Sequence, residues 1–181
     1  MRDPIDRLLD EHRAIMERLN DLRRAVAELG RRGAAALPEA MPALEALSVM
    51  MSTDLAAHAR REDEGLFPAL EAVFGTSGTP TRVMREEHRA IHGQADRFRK
   101  TLHELNEVEH PAIVAAGARL SSLTASSGSA DDLRAIGATI LELVDLHFAK
   151  EEDILFPMAR EVLTPEAMLA VARRMEELDA G

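Results

Sequence analysis

Two pairs of a histidine and a glutamate are the residues best suited to chemistry in this sequence. His58 lies four positions before Glu62, and His147 lies four positions before Glu151. Residues four apart on an α-helix differ by about 40° in direction, so each pair shares one face and can chelate a metal ion. Because the sequence has no cysteine, any metal must be held by nitrogen and oxygen ligands.

An internal repeat duplicates these motifs. The segment from Glu11 to Ile15 recurs letter for letter at 87–91, and both HxxxE motifs are followed at the same distance by Leu-Phe-Pro. The first match is offset by 76 residues and the second by 89, so the second half carries 13 extra residues between its matching segments. We expect these residues to form an insertion around 110–130.

Three further histidines complete a ligand set. His88 and His92 share a helix face at the same four-residue spacing, and His12 reaches the level of His58 if the first two helices are antiparallel. Five imidazoles and two carboxylates exceed the needs of one ion and predict a binuclear site. Iron is typical of such centres, with manganese or zinc as alternatives. The predicted metal ligands are His12, His58, Glu62, His88, His92, His147 and Glu151.

The number of ligands available to each metal predicts that the two metals differ in coordination number. If both glutamates bridge the metals and a solvent-derived oxo or hydroxo group forms a third bridge, each metal starts with three oxygen ligands. The metal that takes three histidines is then six-coordinate, whereas the metal at His12 and His58 reaches five and keeps an open position. Met16 stands where the repeat has His92, so a thioether would line that position. A small ligand such as O2, NO or peroxide fits it.

The elements that must position these residues are helices. Apolar residues recur at helical spacing, and three Asp-Pro or Thr-Pro pairs place a capping side chain before a proline at the first helical position. These patterns predict an all-α fold: an antiparallel up-down-up-down four-helix bundle with an inserted segment between helices three and four and a short C-terminal helix. We expect one domain over 1–181 with its core at 4–162, helices over about 4–29, 39–74, 80–108, 131–162 and 165–178, and a loop over 121–130.

Composition excludes several classes of partner. The net charge of -10 and the pI near 5.2 argue against nucleic acid or an anionic membrane as the main partner. No apolar run approaches the roughly 18 residues of a membrane-spanning helix, and the first residues do not form an apolar signal core. We therefore expect a cytoplasmic protein. The sequence does not specify its oligomeric state.

Other interpretations of the same residues carry less weight. A lone buried histidine is usually a hydrogen-bonded core residue. Five histidines and two glutamates at one level, however, would leave several buried polar groups that each cost about 1–3 kcal/mol without a metal. We expect His103 and His110 to face solvent. Glu152 remains an alternative bridge to Glu151 if the helix unwinds locally. Otherwise it is solvated or supports a ligand, as is expected of Asp63. Phe67 and Phe156 either shield the cluster or simply pack the core.

The motifs resemble those of the hemerythrin and HHE cation-binding family. This resemblance implies a di-iron centre with bridging carboxylates at the two HxxxE glutamates and the full set of five histidines. In hemerythrins the last carboxylate is an aspartate five residues after its histidine, whereas this chain keeps the HxxxE spacing of bacterial HHE proteins. The resemblance covers 5–160 and implies a three-histidine iron at His88, His92 and His147 and a two-histidine iron at His12 and His58.

Three functions are compatible with such a centre. The leading hypothesis is a binding protein that takes O2 or NO at the open metal for oxygen binding or sensing. The second is an enzyme that disproportionates peroxide or reduces O2 or NO. The absence of tyrosine and tryptophan argues against a radical-generating oxidase but not against two-electron chemistry. The third is an iron-responsive interaction protein whose folding depends on the metal.

Overall fold

The described part of the chain is helical throughout. A computed structural model describes residues 2–76, 79–105 and 120–180, with side chains in the last range from residue 128 onward. These residues form helices and short turns, with no strand among them, which confirms the all-α prediction. None of their helices is both long and apolar enough to cross a membrane. The up-down arrangement and the inserted segment stay predictions, and 106–119 lie outside the described residues.

The described residues form eight α-helices, separated in places by single turns of other helical types. Three of those turns are π-helical, and one is a 3-10 turn over Gly33–Ala36. The π turns cover Met51–Leu55, Glu62–Leu66 and Glu151–Leu155. The α-helices are α1 (Pro4–Arg32), α2 (Leu37–Met50), α3 (Ala56–Arg61), α4 (Phe67–Phe74), α5 (Pro80–Glu104), α6 (Leu120–Lys150), α7 (Phe156–Val162) and α8 (Pro165–Ala180).

Helix starts follow the predicted capping pattern. The Asp3 carboxylate accepts hydrogen bonds from the backbone N–H groups of Ile5 at 2.8 Å and Asp6 at 3.0 Å, and therefore caps α1. Thr164 caps α8 in the same way, by accepting from the backbone N–H of Ala167 at 3.2 Å. The proline after each cap is the first residue of its helix. At the other end of α1, the chain leaves the helix at a glycine with a φ of 57°.

The predicted loop over 121–130 is wrong. Helix α6 begins at Leu120 and continues through this segment without a break. The loop prediction depended on a composition rich in serine, but serine is a moderate helix former and the segment contains no proline. Low complexity alone therefore did not end the helix. The third helix is described to Glu104, and its predicted end at residue 108 lies outside the described residues.

The chain divides into two compact units. One comprises Met1–Met16, Thr53–Ile91 and Leu143–Gly181, and the other comprises Glu17–Ser52 and His92–Glu142. The prediction of one domain over 1–181 stays a prediction. The first unit contains a core cluster drawn from α1, α4, α5, α7, α8 and two of the π turns. Its buried members are Ile5, Leu8, Leu66, Phe67, Leu70, Met84, Leu155, Phe156, Ala159, Leu163, Val171 and Met175.

The second unit contains a close helix contact at Gly137. A Cβ atom at this position would stand 2.9 Å from Cγ2 of Val26 and 3.5 Å from Cδ1 of Leu22. Because real Cβ atoms do not approach a neighbouring side chain so closely, the glycine lets α6 pack against α1 at this point. Phe98 of α5 lies 4.0 Å from the same position and is fully buried.

The Asp3 cap gives a direct test of helix positioning. Replacing Asp3 by alanine removes the acceptor for two backbone N–H groups and should lower the free energy of unfolding by about 1 kcal/mol. Thermal or denaturant unfolding of the protein at fixed metal content measures this change. Asp3→Asn retains a capping oxygen and serves as the control. Equal stability of the alanine and wild-type proteins would contradict the capping role.

Candidate metal centre

Six of the seven predicted ligands converge in the first unit. They form two groups of four, and within each group one ligand atom from every residue lies within 4.8 Å of the others. Both groups contain the same two glutamates, Glu62 and Glu151, and each adds its own pair of histidines. All six side chains are at most 4% exposed. The first group adds His12 and His58, and the second adds His88 and His147.

On α1 and α5, a histidine lies within a row of buried apolar residues, here called a seam, and therefore points into the interior. On α1, His12 lies between Leu8 and Ile15, at alternating steps of four and three residues, and all three side chains are buried. This spacing is that of a narrow heptad seam. On α5, His88 occupies the equivalent place, between Met84 and Ile91. The seams therefore bring an imidazole from each helix to the same interior position.

The two glutamates stand where regular helix gives way to π turns. Glu62 begins the turn after α3, and Glu151 begins the turn after α6. Such turns hold one residue more than an α-helical turn and often occur at functional sites. In the first of them, Gly65 is buried, and a Cβ there would approach Cγ of Met175 on α8 to 3.3 Å. The small residue thus lets α8 cover this turn.

Each histidine points its Nε2 atom at a glutamate. Nε2 of His12 lies 3.2 Å from Oε2 of Glu151, and Nε2 of His147 lies 3.1 Å from Oε1 of the same residue. His58 and His88 approach Oε2 of Glu62 at 3.5 and 3.3 Å. The ring centroids of His12 and His58 are 4.7 Å apart, and those of His88 and His147 are also 4.7 Å apart. The two halves of the repeat thus present nearly identical imidazole pairs.

Each histidine also donates its other ring nitrogen to an outer carboxylate. Two of these carboxylates come directly before a ligand histidine, and two come directly after a ligand glutamate. A carboxylate in this place fixes the ring orientation and keeps the proton on Nδ1, so the lone pair of Nε2 faces the cluster. The Nδ1 to oxygen distances are 3.0 Å for His58 to Glu11, 3.0 Å for His147 to Glu87, 3.1 Å for His88 to Asp63 and 2.7 Å for His12 to Glu152.

The donor set fits a cation. With Nδ1 protonated, the Nε2 atoms of His12 and His58 are both lone-pair acceptors, yet they face each other at 3.1 Å. Several inward atoms are buried and have no hydrogen-bond partner: both carboxylate oxygens of Glu62, both of Glu151, and Nε2 of His88 and His147. Orphaned acceptors of this kind are costly unless a cation or proton lies between them. These groups could therefore hold metal ions.

The electrostatics of the protein alone lead to the same conclusion. Burial raises the pKa of Glu62 well above its usual value, and the nearby carboxylate of Glu151 raises it further. Burial also acts to raise the pKa of Glu151, but contacts with His12 and His147 lower it overall. Two carboxylates this close cannot both ionise in a buried site without a compensating cation. Burial lowers the pKa of His58 and so favours the neutral imidazole that a metal requires.

A third layer of charges holds the outer carboxylates. Arg7 and Arg61 both contact Glu11, at 2.9 and 3.3 Å, and Asp179 of α8 pairs with both arginines. Although burial opposes it, hydrogen bonds from His58 and Arg7 lower the pKa of Glu11. The negative charge that orients His58 is therefore retained.

On the repeated side, Lys150 contacts Glu87 and occupies the place of Arg61 in the repeat. Burial acts to raise the pKa of Glu87, but its hydrogen bonds with Lys150 and His147 lower it overall.

Comparison with known proteins assigns the chain to a family. The family model for the hemerythrin HHE cation binding domain matches residues 3–108 and 104–180. The chain belongs to the hemerythrin HHE cation-binding family. Neither the curated proteins nor the solved structures compared with the chain include a match. The resemblance described from the motifs is thus confirmed, and the HHE assignment agrees with a buried cluster of histidine and glutamate.

His92 is the predicted HHE ligand that the structure does not bring to the cluster. Its side chain is exposed, and it belongs to neither group of converging residues. The buried seam of α5 passes through His88 and Ile91 and continues to Phe98. His92 follows the seam residue Ile91 and lies at the edge of this narrow stripe. Met16, its counterpart in the repeat, is half-buried.

The outer carboxylates of this HHE site were only partly anticipated. The sequence indicated Asp63 and Glu152 as solvated or ligand-supporting residues, and both contact a ligand histidine. Glu152 is about half exposed, with Glu151 fully buried beside it. Glu11 and Glu87 were missed, although each is the first residue of the repeated five-residue segment. Their place inside the exact repeat was the available signal.

The exposure of His92 leads to a decisive test of the HHE ligand set. His92→Ala should leave the metal content per chain unchanged, because the side chain lies outside the cluster. His88→Ala on the same helix should lose at least one metal. Elemental analysis of the purified variants measures both. Loss of a metal from the His92 variant would restore the five-histidine set that the resemblance implies.

Glu87 and its neighbour Glu86 form a matched pair for testing the outer carboxylates. Glu87→Ala removes the acceptor for Nδ1 of His147 and should weaken metal binding by about tenfold to a hundredfold. Glu86 is exposed and pairs with Arg82, so Glu86→Ala should have no effect. Competition with a chelator of known affinity measures the change. Equal affinities in the two variants would show that Glu87 does not orient the ligand.

Proposed function

We propose that this HHE protein holds two iron ions bridged by Glu62 and Glu151 and binds a small ligand, O2 or NO, at that centre for oxygen binding or sensing. The observation that carries the proposal is the sharing of both glutamates by the two groups of converging side chains. A carboxylate with two orphaned oxygens can serve two ions at once, and both glutamates have such a pair. One ion would leave an imidazole pair without a function.

The ligand types favour iron. Each ion would receive two imidazoles and a share of two carboxylates, a mixture that suits iron and that also accepts manganese or zinc. Carboxylate-bridged pairs of this kind in helical proteins are typically di-iron or di-manganese. Iron supplies the reversible redox chemistry that binding of O2 requires. The chain contributes four imidazoles, two carboxylates and a buried interior.

The two ions would have equal protein ligands. Because His92 lies outside the cluster, His88 and His147 form one pair and His12 and His58 form the other. The sequence-based expectation of a closed three-histidine metal beside an open two-histidine metal does not follow from this arrangement. Neither ion would be saturated by protein groups, so each could accept a further ligand.

Peroxide disproportionation is the second candidate, and the equal ligand sets are the observation that favours it. A pair of ions that both keep a free position suits a substrate with two adjacent oxygen atoms. Two-electron chemistry at the cluster does not require tyrosine or tryptophan, which this sequence lacks. Continuous release of O2 from added hydrogen peroxide would distinguish this enzyme from a binding protein.

The test of the leading proposal combines metal analysis with optical spectroscopy. The chain should bind two irons when it is loaded anaerobically. Admission of O2 should then produce a new charge-transfer absorption that fades when the gas is removed. Glu62→Ala should lose at least one iron and the absorption, whereas His103→Ala, which changes an exposed histidine, should retain both.

The possible outcomes separate the hypotheses. Two irons with a reversible absorption support the oxygen-binding proposal. Two irons that oxidise at once and then turn over peroxide move the assignment to the enzyme. Failure of the wild-type chain to bind two metals, or full metal content in the Glu62 variant, would contradict the bridged centre itself.

A further inference from the structure

We propose that Asp179 of the C-terminal helix α8 is a positioning residue of the metal centre, so that docking of α8 and metal binding stabilise each other. This inference rests on the proposed metal centre and adds a means of coupling that centre to a separate helix. If a docked α8 raises the metal affinity, bound metal stabilises the docked helix by the same free energy. Two sets of contacts connect α8 to the segment that carries His58 and Glu62.

The first set of contacts runs through charged side chains. One carboxylate oxygen of Asp179 accepts hydrogen bonds from Nε and Nη2 of Arg61 at 2.9 and 2.6 Å, and the other accepts from Arg7. Both arginines contact Glu11, which accepts a hydrogen bond from Nδ1 of His58 at 3.0 Å. Because Asp179 offsets the repulsion between the two guanidinium groups, it keeps both of them against Glu11.

The second set of contacts covers the π turn that begins at Glu62. Arg174 of α8 pairs with Glu64 of this turn at 3.0 Å. Met175 of α8 has no accessible surface and lies over Gly65, where a Cβ atom would approach its Cγ to 3.3 Å. A docked α8 therefore constrains the backbone directly after one of the two shared glutamates.

The corresponding π turn in the second half of the repeat is not covered in this way among the described residues. The offset of 89 residues relates Gly65 to Ile154, which is 58% exposed. The same offset relates Arg61 to Lys150, and the acidic partner of Lys150 in the described part of the chain is Glu87 alone. Coupling to α8 should therefore act on one half of the centre.

Asp179→Ala tests this role in the whole chain. The side chain is 37% exposed, and ion pairs at such sites add little to stability, so the variant should fold. It should nevertheless bind one of two iron(II) ions about fivefold more weakly or worse, as measured anaerobically by competition with a chelator of known affinity. Asp179→Glu keeps a carboxylate and should restore most of the affinity.

A matched control comes from the same helix. Glu176 is exposed, and Glu176→Ala removes a carboxylate without touching either arginine, so its iron affinities should equal those of the wild type. Wild-type affinity for both irons in the Asp179→Ala protein would overturn the proposal. A purely structural role for Asp179 predicts that result, because it would change the stability of the helix without changing metal binding.

Hydrogen exchange measures the reciprocal effect. Loading the wild-type protein with iron(II) should slow amide exchange across Pro165–Ala180, and Asp179→Ala should lose most of that slowing while keeping it at residues 84–91 around His88. Equal slowing of α8 in the two proteins, or the same loss in both segments, would overturn the coupling while leaving the metal centre intact. Failure of the wild-type chain to bind two irons would instead refute the proposed function.

Discussion

Two buried carboxylates facing four imidazoles are the constraint on which this site depends. Glu62 and Glu151 have no accessible surface, and their oxygens have no hydrogen-bond partner. Burial raises the pKa of Glu62, and the neighbouring carboxylate of Glu151 raises it further. The helices, the apolar seams and the outer charges all serve to hold these groups together. Bound cations would convert the same arrangement from an electrostatic cost into a stabilising contact.

The outer carboxylates fix which ring nitrogen of each inner histidine carries the proton. Every inner histidine donates Nδ1–H to a carboxylate, so every Nε2 presents a lone pair toward the cluster. A hydrogen-bonded core of ordinary polar residues would not need four separate carboxylates for four imidazoles. Asp179 extends this order to the C-terminal helix through Arg7 and Arg61. The site is thus tied to elements distant in sequence.

Much of the site could be predicted because residues close together in the sequence define it. Spacing of four residues and an exact repeat identify the inner histidines and glutamates, and proline preceded by a capping residue marks where helices begin. His92 shows the limit of that argument. Four-residue spacing places His88 and His92 near one helix face, but it does not determine which of the two is buried in the seam. The helical 121–130 segment shows another limit, since a serine-rich composition without proline does not end a helix. The outer carboxylates depend on contacts between helices, which spacing alone does not give.

The π turns also change the helical register of the residues that follow them. Each adds one residue to a turn, which rotates the following side chains by about 100° around the helix axis relative to an unbroken α-helix. One such turn begins at Glu62 and another at Glu151, so both halves of the repeat change register at the same place. The third π turn, Met51–Leu55, has no counterpart, because residues 140–144 are regular α-helix. The halves therefore share the change of register at the glutamates and differ in the turn that precedes it.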